Sequence, residues 1–455
     1  MRFKTTYILG IVFIALVAFI YFYEIEGGKR RKAKEEEESK LLHFKKEDVY
    51  SVKLSSDKDT VVYRRIDDEN WELIKPVRAR AYKSNIESNL RTFETAKIER
   101  VISEKLVDLS QYGLHKPRAV VELTMKDSSE IKALIGDENP TGSYVFAKLA
   151  DSSRIITTYK SFYNAASRTA FDFRDRRLLF FKRDEVRKIS LLHGGEKIEV
   201  EKRGDEWRMI EPVVLKASRS KISSILSRLS NDRAQRYVEE TPSDLRKYGI
   251  TEPTLTAKVF LGESLGEKKL IIGKKVIDEK KKYYARDDSR NPVFTVDSSL
   301  VAALMVKPFD IQDKKLLSFT RGNVDKITIR YADSLLVFVK DDTSGWSIMK
   351  PDTIPIKKSE GNRLLNRLSN LKAKELVTYT PQNLKKFGLL NPEMSVELYS
   401  SGNKLDALLV GKRRGEKAYV KSYSNEPVYW MDWKDVDYFR KAPDDFKVKD
   451  TGKIE

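Results

Sequence analysis

The side chains in this sequence that could do acid–base or metal chemistry are few and scattered. There are three histidines, at His43, His115 and His193, and no cysteine. A metal centre or a Ser-His-Asp triad needs its groups at positions that a fold brings together, and these histidines share no common spacing. The lack of cysteine excludes disulfides and thiolate nucleophiles. We therefore predict no catalytic residues, no metal site and no cofactor.

Paired carboxylates offer a second kind of chemistry, glycoside hydrolysis. The pairs are Asp67-Asp68, Asp287-Asp288, Asp341-Asp342 and Asp444-Asp445. All lie in predicted turns, where aspartate favours the bent backbone, whereas a glycosidase needs two carboxylates that converge in one cleft. Motifs of serine hydrolases, zinc peptidases and phosphate-binding loops are also missing. A non-catalytic role is the favoured interpretation, and an enzyme is the less favoured one.

The strongest pattern is a threefold repeat. A tryptophan begins each of three Trp-x-x-x-x-Pro segments, and the tryptophans are 136 and 139 residues apart. Two further motifs, Tyr/Phe-Gly-Leu/Ile-x-x-Pro and Ile/Val-Gly, follow at the same period. A unit of this length is the size of a domain rather than of a solenoid repeat. The repeat markers, which we interpret as structural, are Trp71, Trp207, Trp346, Gly113, Gly249, Gly388, Pro117, Pro253, Pro392, Gly136, Gly273 and Gly411.

Each copy predicts the same order of elements. Alternating strands with short links form an antiparallel meander, and an amphipathic helix follows, with apolar residues spaced by four and three. We take these to be Ile86, Leu90 and Phe93 in the first copy, and Leu364, Leu368 and Leu371 in the third. We expect the glycines after Tyr/Phe to end a helical turn in left-handed conformation and the Ile/Val-Gly pairs to form tight turns.

These elements predict an α+β fold: three tandem copies of a mostly antiparallel sheet domain with a few helices, preceded by a transmembrane helix. The predicted domains are residues 41–177, 178–315 and 316–455, after a cytoplasmic tip, transmembrane anchor and charged stalk at 1–40.

The predicted anchor is an uncharged run of 19 residues, from Thr5 to Tyr23. As a helix it would span about 28 Å, close to the ~30 Å of a hydrocarbon core. A cleaved signal peptide is less favoured because no small-x-small cleavage site follows. The basic residues on both sides leave the orientation undecided.

The net charge of +19 fits two interpretations. Lysines, arginines and acids interleave throughout, as on a solvated surface. A basic body also suits the neighbourhood of an anionic membrane or an acidic polymer. No arginine-rich arm favours nucleic acid.

The motifs together resemble the family named domain of unknown function 4340 (DUF4340). The resemblance rests on the anchor ending in aromatic residues, the two glycine motifs, the segments that begin at Tyr144, Tyr284 and Tyr419, and the linkers Phe171–Arg176 and Phe309–Lys314. It implies a single-pass bacterial protein found alongside ABC-type transport systems of the gliding-motility kind. It brings no catalytic residues with it.

We therefore expect a non-catalytic, membrane-anchored, extracytoplasmic binding or scaffold protein, accessory to an ABC-type transport system. Its expected place is the bacterial inner membrane, with transporter subunits as partners and an oligomeric state left open. The alternative is a cell-envelope glycan-binding protein or hydrolase. This alternative rests on the positive net charge and on Tyr144, Tyr284 and Tyr419, which we expect at equivalent exposed positions.

Overall fold

The computed structural model describes residues 2–19, 21, 27–105, 108–341, 345–356 and 358–446. The chain forms two compact units, Met1–Arg176 and Arg177–Glu455. The first unit contains one nine-stranded antiparallel sheet and the second contains two. We number these three copies in chain order.

The strands alternate buried and exposed side chains, the pattern of a sheet with one face against a core. The strands of the first sheet are β1 (Val49–Ser56), β2 (Thr60–Arg65), β3 (Trp71–Lys75), β4 (Ala79–Arg80), β5 (Arg100–Ser103), β6 (Ala119–Met125), β7 (Glu130–Glu138), β8 (Tyr144–Leu149) and β9 (Ile155–Tyr159). Those of the second are β10 (Val186–His193), β11 (Glu196–Arg203), β12 (Glu206–Glu211), β13 (Leu215–Lys216), β14 (Arg236–Glu239), β15 (Leu255–Leu261), β16 (Gly266–Lys275), β17 (Lys282–Asp287) and β18 (Val293–Asp297). Those of the third are β19 (Lys326–Tyr331), β20 (Ser334–Asp341), β21 (Gly345–Lys350), β22 (Ile354–Pro355), β23 (Glu375–Thr378), β24 (Met394–Ser400), β25 (Asn403–Arg414), β26 (Lys417–Ser422) and β27 (Val428–Asp432).

The three sheets share one strand order. The first runs β4-β3-β2-β1-β6-β7-β8-β9-β5, and the other two repeat this order with their own strands. Short links make β1, β2 and β3 a meander, and β1 also pairs with β6, so β1 lies in the middle of the sheet. The predicted α+β class with antiparallel sheets is confirmed.

Helices cover one face of each sheet. The helices are α1 (Arg2–Phe19), α2 (Gly27–Glu38), α3 (Lys83–Glu94), α4 (Lys160–Ala166), α5 (Ala170–Phe173), α6 (Arg219–Asn231), α7 (Ser298–Leu304), α8 (Pro308–Ile311), α9 (Lys358–Ser369) and α10 (Trp433–Asp437). In the first copy α4 packs on β1, β6, β8 and β9. The apolar stripe of α3, with Ile86, Leu90 and Phe93, is buried as predicted.

The N-terminal helices correspond to the predicted anchor and stalk. Helix α1 overlaps the run from Thr5 to Tyr23, of which Ile20, Phe22 and Tyr23 lie outside the described residues. Among the residues that the structure describes, no helix reaches the length and apolarity needed to cross a membrane. Helix α2 takes up most of the charged stretch that follows.

Candidate functional site

The two kinds of glycine marker touch one another. The glycines after Tyr/Phe end 3-10 turns with φ of +67° to +70°, so the predicted left-handed conformation is confirmed for Gly113, Gly249 and Gly388. The tight turns predicted at Ile/Val-Gly are wrong, because those glycines lie inside long strands where the register shifts. A side chain there would overlap the main-chain carbonyl of the aromatic residue in the turn: Gly136 against Tyr112, Gly273 against Tyr248, and Gly411 against Phe387.

In each copy a pair of aromatic rings lies beside this contact. These pairs show that Tyr144, Tyr284 and Tyr419 are not at equivalent positions, contrary to the prediction. The ring centroids lie 5.0 Å apart, edge to face, in each of three pairs: Tyr112–Phe146, Tyr248–Tyr284 and Phe387–Tyr419. The first-copy counterpart of Tyr284 and Tyr419 is therefore Phe146, not Tyr144. The last ring, on Tyr419, is only 8% exposed. Tyr284 and Tyr144 are only partly exposed, so these tyrosines do not form a shared exposed surface.

Each marker tryptophan is buried beside a cation. Trp71, Trp207 and Trp346 lie opposite a basic residue on the neighbouring strand, which is Arg65, Lys202 and Lys340 in turn. In the second and third copies a 3-10 turn before the first strand of the sheet brings a second cation, Arg183 and Arg321 in turn, and the same turn of the first copy begins at Lys46. We call this arrangement the tryptophan cleft.

The cleft is covered in the first copy. The guanidinium carbon of Arg65 lies 4.4 Å above the ring of Trp71. The same group donates to the carbonyl oxygens of Val49 and Lys46, both at 2.9 Å. Arg65 is thus held over the indole by a cation–π contact and two hydrogen bonds.

The cleft is open in the other two copies, where lysine replaces Arg65. The second copy has a cleft of about 570 Å³ lined by Arg183, Lys202, Trp207 and Arg219. The third has one of about 520 Å³ lined by Arg321, Lys340, Trp346, Asn362 and Asn366. Two acids, Asp184 and Asp205, also line the second-copy cleft. None lines the third-copy cleft among the described residues.

The predicted equivalence of Ile86 in α3 and Leu364 in α9 is also wrong. Ile86 and Ile222 each follow the marker tryptophan by 15 residues, and in the third copy that position is Gly361. A side chain on Gly361 would overlap the indole of Trp346, so the ring takes up the space that isoleucine fills elsewhere. The counterpart of Ile86 is therefore Gly361 rather than Leu364, and Leu371 lies beyond the end of α9. The indole nitrogen of Trp346 is buried without an acceptor among the described residues.

A groove of about 820 Å³ lies between the second and third copies, inside the second unit. The segment that joins the two copies lies beside this groove. Gln312 forms a β-bridge with Ala217 of the second copy, and Lys315 forms one with Lys372 of the third. Gln312 Nε2 also donates to the hydroxyl of Tyr429 at 3.0 Å. Burial raises the pKa of Tyr429, so this hydroxyl stays protonated at neutral pH.

A third cleft, of about 560 Å³, lies on the other side of α9. Arg363, Arg367, Lys372 and Lys374 line it. The guanidinium of Arg367 lies 4.1 Å above the ring of Tyr438 and 3.6 Å from a carboxylate oxygen of Asp435.

Comparison with known families settles what this repeat is. The model described as "Domain of unknown function (DUF4340)" matches residues 71–208, 207–353 and 346–455. The chain belongs to the DUF4340 family. Each DUF4340 segment starts at or next to a marker tryptophan, so it is out of phase with the sheets. The segment 71–208 holds β3 to β9 of the first sheet together with β10 and β11 of the second.

Other comparisons add no functional information on this DUF4340 protein. No curated protein matches it. Two solved structures similar to it are from Pseudomonas aeruginosa. One is a DNA polymerase sliding clamp with ligand, at 9% identity over 87% of this chain and 94% of that chain, with a TM-score of 0.15. The other is a DnaN sliding clamp (DNA polymerase III subunit beta) bound to griselimycin, at 11% over 86% and 93%, with a TM-score of 0.14. TM-scores this low carry no argument.

The structure keeps the sequence candidates for catalysis apart. His43 lies 3.8 Å from a carboxylate oxygen of Glu37, and His193 contacts the carbonyl oxygen of Val306 at 2.9 Å. Within the described ranges no group of three His, Cys, Asp or Glu side chains could hold a metal ion. Asp67 accepts main-chain N–H groups in its turn, whereas Asp342 lies outside the described residues. No sequence motif marked the clefts around α9, because their cations come from separate elements.

Proposed function

We propose that this DUF4340 protein is a non-catalytic, membrane-anchored binding or scaffold protein, with an extracytoplasmic body that is accessory to an ABC-type transport system. The observation that supports it best is the surface of α1. Ile8, Leu9, Ile11, Phe13 and Ile14 are each more than 60% exposed. Apolar surface of this extent is costly in water, at about 25 cal/mol per Å². We propose that a lipid bilayer surrounds residues 5–23 and removes this apolar surface from water.

The body supports a binding role. Each copy has its own closed core, while the clefts beside α6 and α9 are open and basic. The transport link rests on the family resemblance alone. The glycan-binding alternative loses its tyrosine argument, because the rings of Tyr284 and Tyr419 pack against the 3-10 turns.

Anchoring is tested by fractionating lysed cells without detergent. The full chain should sediment with membranes and resist a carbonate wash, and the double variant Ile11→Arg/Ile14→Arg should move to the supernatant. Ile277→Arg is the matched control, since Ile277 is 83% exposed but lies in the second copy. A wild-type chain found in the supernatant would refute the anchor.

Topology is tested by cysteine labelling, since the native chain has no cysteine. Asp151→Cys, in an exposed turn of the first copy, should react with a membrane-impermeant maleimide in cells whose outer barrier has been opened. Phe3→Cys should react only after lysis. The reverse labelling pattern would place the body in the cytoplasm.

The partner is tested by affinity purification of the full-length protein from cross-linked membranes, with mass spectrometry. Membrane subunits of an ABC transporter should be recovered with the wild type and not with a tag-only control. Their absence would remove the transport link and leave the anchor unaffected.

A further inference from the structure

We propose that the exposed side of α9 in the third copy binds an acidic polypeptide segment in extended conformation. This inference deepens the proposed binding role by naming the kind of partner. It does not depend on the anchor or on the transporter.

Three openings meet on this side of the third copy. Asn366 lines both the tryptophan cleft and the cleft over Tyr438, and Asn370 lines that second cleft and the groove at the linker. We call the surface formed by the first two clefts the α9 face. Its lining includes one acid, Asp435, and six cations: Arg321, Lys340, Arg363, Arg367, Lys372 and Lys374.

The positive charge of the α9 face is only partly neutralised by its own neighbours. Arg363 pairs with Glu360 at 2.9 Å, Arg367 with Asp435 at 3.6 Å, and Lys374 with Asp432 at 3.8 Å. Lys340 and Lys372 have no ion pair among the described residues. Three acids against six cations leave a surplus of three positive charges for an acidic ligand.

The side chains on α9 form two parallel rows. Asn362, Asn366 and Asn370, the last of them one residue past the end of α9, are four residues apart and exposed, and Arg363 and Arg367 form the neighbouring row at the same spacing. Residues four apart on a helix lie on one side of it, separated by about 6 Å along the axis. Alternate residues of an extended chain are about 6.6 Å apart. Carboxylates at every second position of an extended segment therefore match the arginine row.

The chemistry of the two rows favours a polypeptide over other anions. An arginine fork binds a planar carboxylate through two parallel hydrogen bonds. An asparagine amide both donates and accepts, which matches the N–H and C=O groups of a main chain. The amide oxygen of Asn366 already accepts from Arg321, and a phosphate polymer would leave those of Asn362 and Asn370 without donors from its backbone. The aromatic ring of Tyr438 adds an apolar floor under Arg367.

The α9 face is special to the third copy. The α6 positions that correspond to Arg363 and Arg367 are Ser224 and Arg228, and those in α3 are Ser88 and Thr92. Arg228 is engaged by Asp232 at 3.0 Å. The second copy thus serves as an internal control with the same fold and without the arginine row.

The test is fluorescence anisotropy with purified full-length protein in a neutral detergent. One labelled peptide carries glutamate at every second position. A second has the same composition with its glutamates contiguous, and a third has glutamine in their place. The wild type should bind the first peptide at least ten times more tightly than the third and measurably more tightly than the second, with affinity falling as salt rises.

Variants locate the binding. Arg363→Gln/Arg367→Gln should weaken binding of the first peptide about tenfold or more, and Arg363→Lys/Arg367→Lys should weaken it less. Lys280→Gln/Lys281→Gln, with the same charge change at an exposed turn of the second copy, should leave it unchanged. Arg363 is exposed and Arg367 is partly exposed, so the variants should keep the thermal unfolding midpoint of the wild type.

Three results would overturn the proposal. The first is equal binding of the alternating and contiguous peptides, which needs no variant to interpret. The second is an equal loss in the second-copy control. The third is tighter binding of phosphatidylglycerol vesicles or of single-stranded DNA that depends on the same arginines, which would make the α9 face a site for lipid or nucleic acid. None of these results bears on the membrane fractionation.

Discussion

Gly136 lies directly against the main-chain carbonyl of Tyr112. The carbonyl oxygen takes up the space in which any other residue at position 136 would place its β-carbon. Gly273 and Gly411 stand in the same relation to Tyr248 and Phe387. One of the two partners is the aromatic residue before a left-handed glycine, and the other lies inside a strand. The two glycine motifs of the repeat are therefore the two sides of one contact.

Gly411→Ala should destabilise the third copy by about 1–3 kcal/mol, the usual cost of overpacking, because a main-chain carbonyl cannot move aside as a side chain can. Urea unfolding measures this cost. Gly322→Ala is the control, since nothing lies within 4 Å of the position that its β-carbon would take. Equal stability of the two variants would show that the contact relaxes freely.

In the first copy, buried hydrogen bonds link Tyr63, Asn89 and Ala165. We expect Tyr63 and Asn89 to be coupled in their contributions to the unfolding free energy. The hydroxyl of Tyr63 donates to Asn89 Oδ1 at 2.8 Å, and Asn89 Nδ2 donates to the carbonyl oxygen of Ala165 at 2.9 Å. Burial raises the pKa of Tyr63 well above its ordinary value, so the hydroxyl remains a donor.

Tyr63→Phe and Asn89→Ile should each cost about 1–3 kcal/mol, because each leaves a buried partner unsatisfied. The double variant should cost less than the sum of the two. A double-mutant cycle by urea unfolding measures this coupling. In the second copy Val200 stands at the position of Tyr63 and Ile225 at that of Asn89. The fold therefore accepts an apolar pair at these two positions. Strict additivity would contradict the coupling.

Asp406 should be needed as a buried acceptor of several hydrogen bonds. It is fully buried and accepts from the main-chain N–H groups of Ser318, Ala407 and Ser424 and from the hydroxyl of Ser422, at 2.8 to 3.2 Å. Asp406→Asn turns one acceptor oxygen into a donor that faces other donors. We expect a loss of about 2–4 kcal/mol in unfolding free energy. Asp151→Asn, in an exposed turn, should be neutral in the same assay.

Acid should destabilise the first sheet through Glu122. Hydrogen bonds from Lys132 and Lys53, both at 2.8 Å, hold the pKa of Glu122 below its ordinary value. A carboxylate with a lowered pKa stabilises the fold above its unfolded pKa, about 4.3, and this contribution disappears as pH falls through the folded pKa.

Glu122→Gln should therefore lower the unfolding midpoint at pH 7 and have little effect at pH 3. At pH 7 the cost should be about 1 kcal/mol or less, because the ion pairs are partly exposed. Thermal unfolding at both pH values measures it, with Glu130→Gln, exposed on the same hairpin, as the control. An equal loss at both pH values would point to packing instead.

The repeat and the α+β class were predictable because they depend on local signals. A left-handed glycine, a turn before a strand and an alternating strand all show in short stretches of sequence, as at Gly113 and Ala119–Met125. The position of Gly361 was not predictable, since leucines at the right spacing follow it and the ring that excludes a side chain there belongs to Trp346. The same holds for Phe146, whose partner Tyr112 lies 34 residues earlier. The α9 face was missed because no single segment holds its six cations.

The phase difference between family segments and sheets bears on how the protein is dissected. A fragment cut at residues 71 and 208 would lose β1 and β2, leave β6 without its partner β1, and carry β10 and β11 without their own sheet. Such a fragment exposes open strand edges, which promote aggregation. Cuts placed between sheets, just before Leu178 or Leu316, keep every strand with its neighbours. The stretch of sequence that recurs most recognisably is not the stretch that forms one sheet.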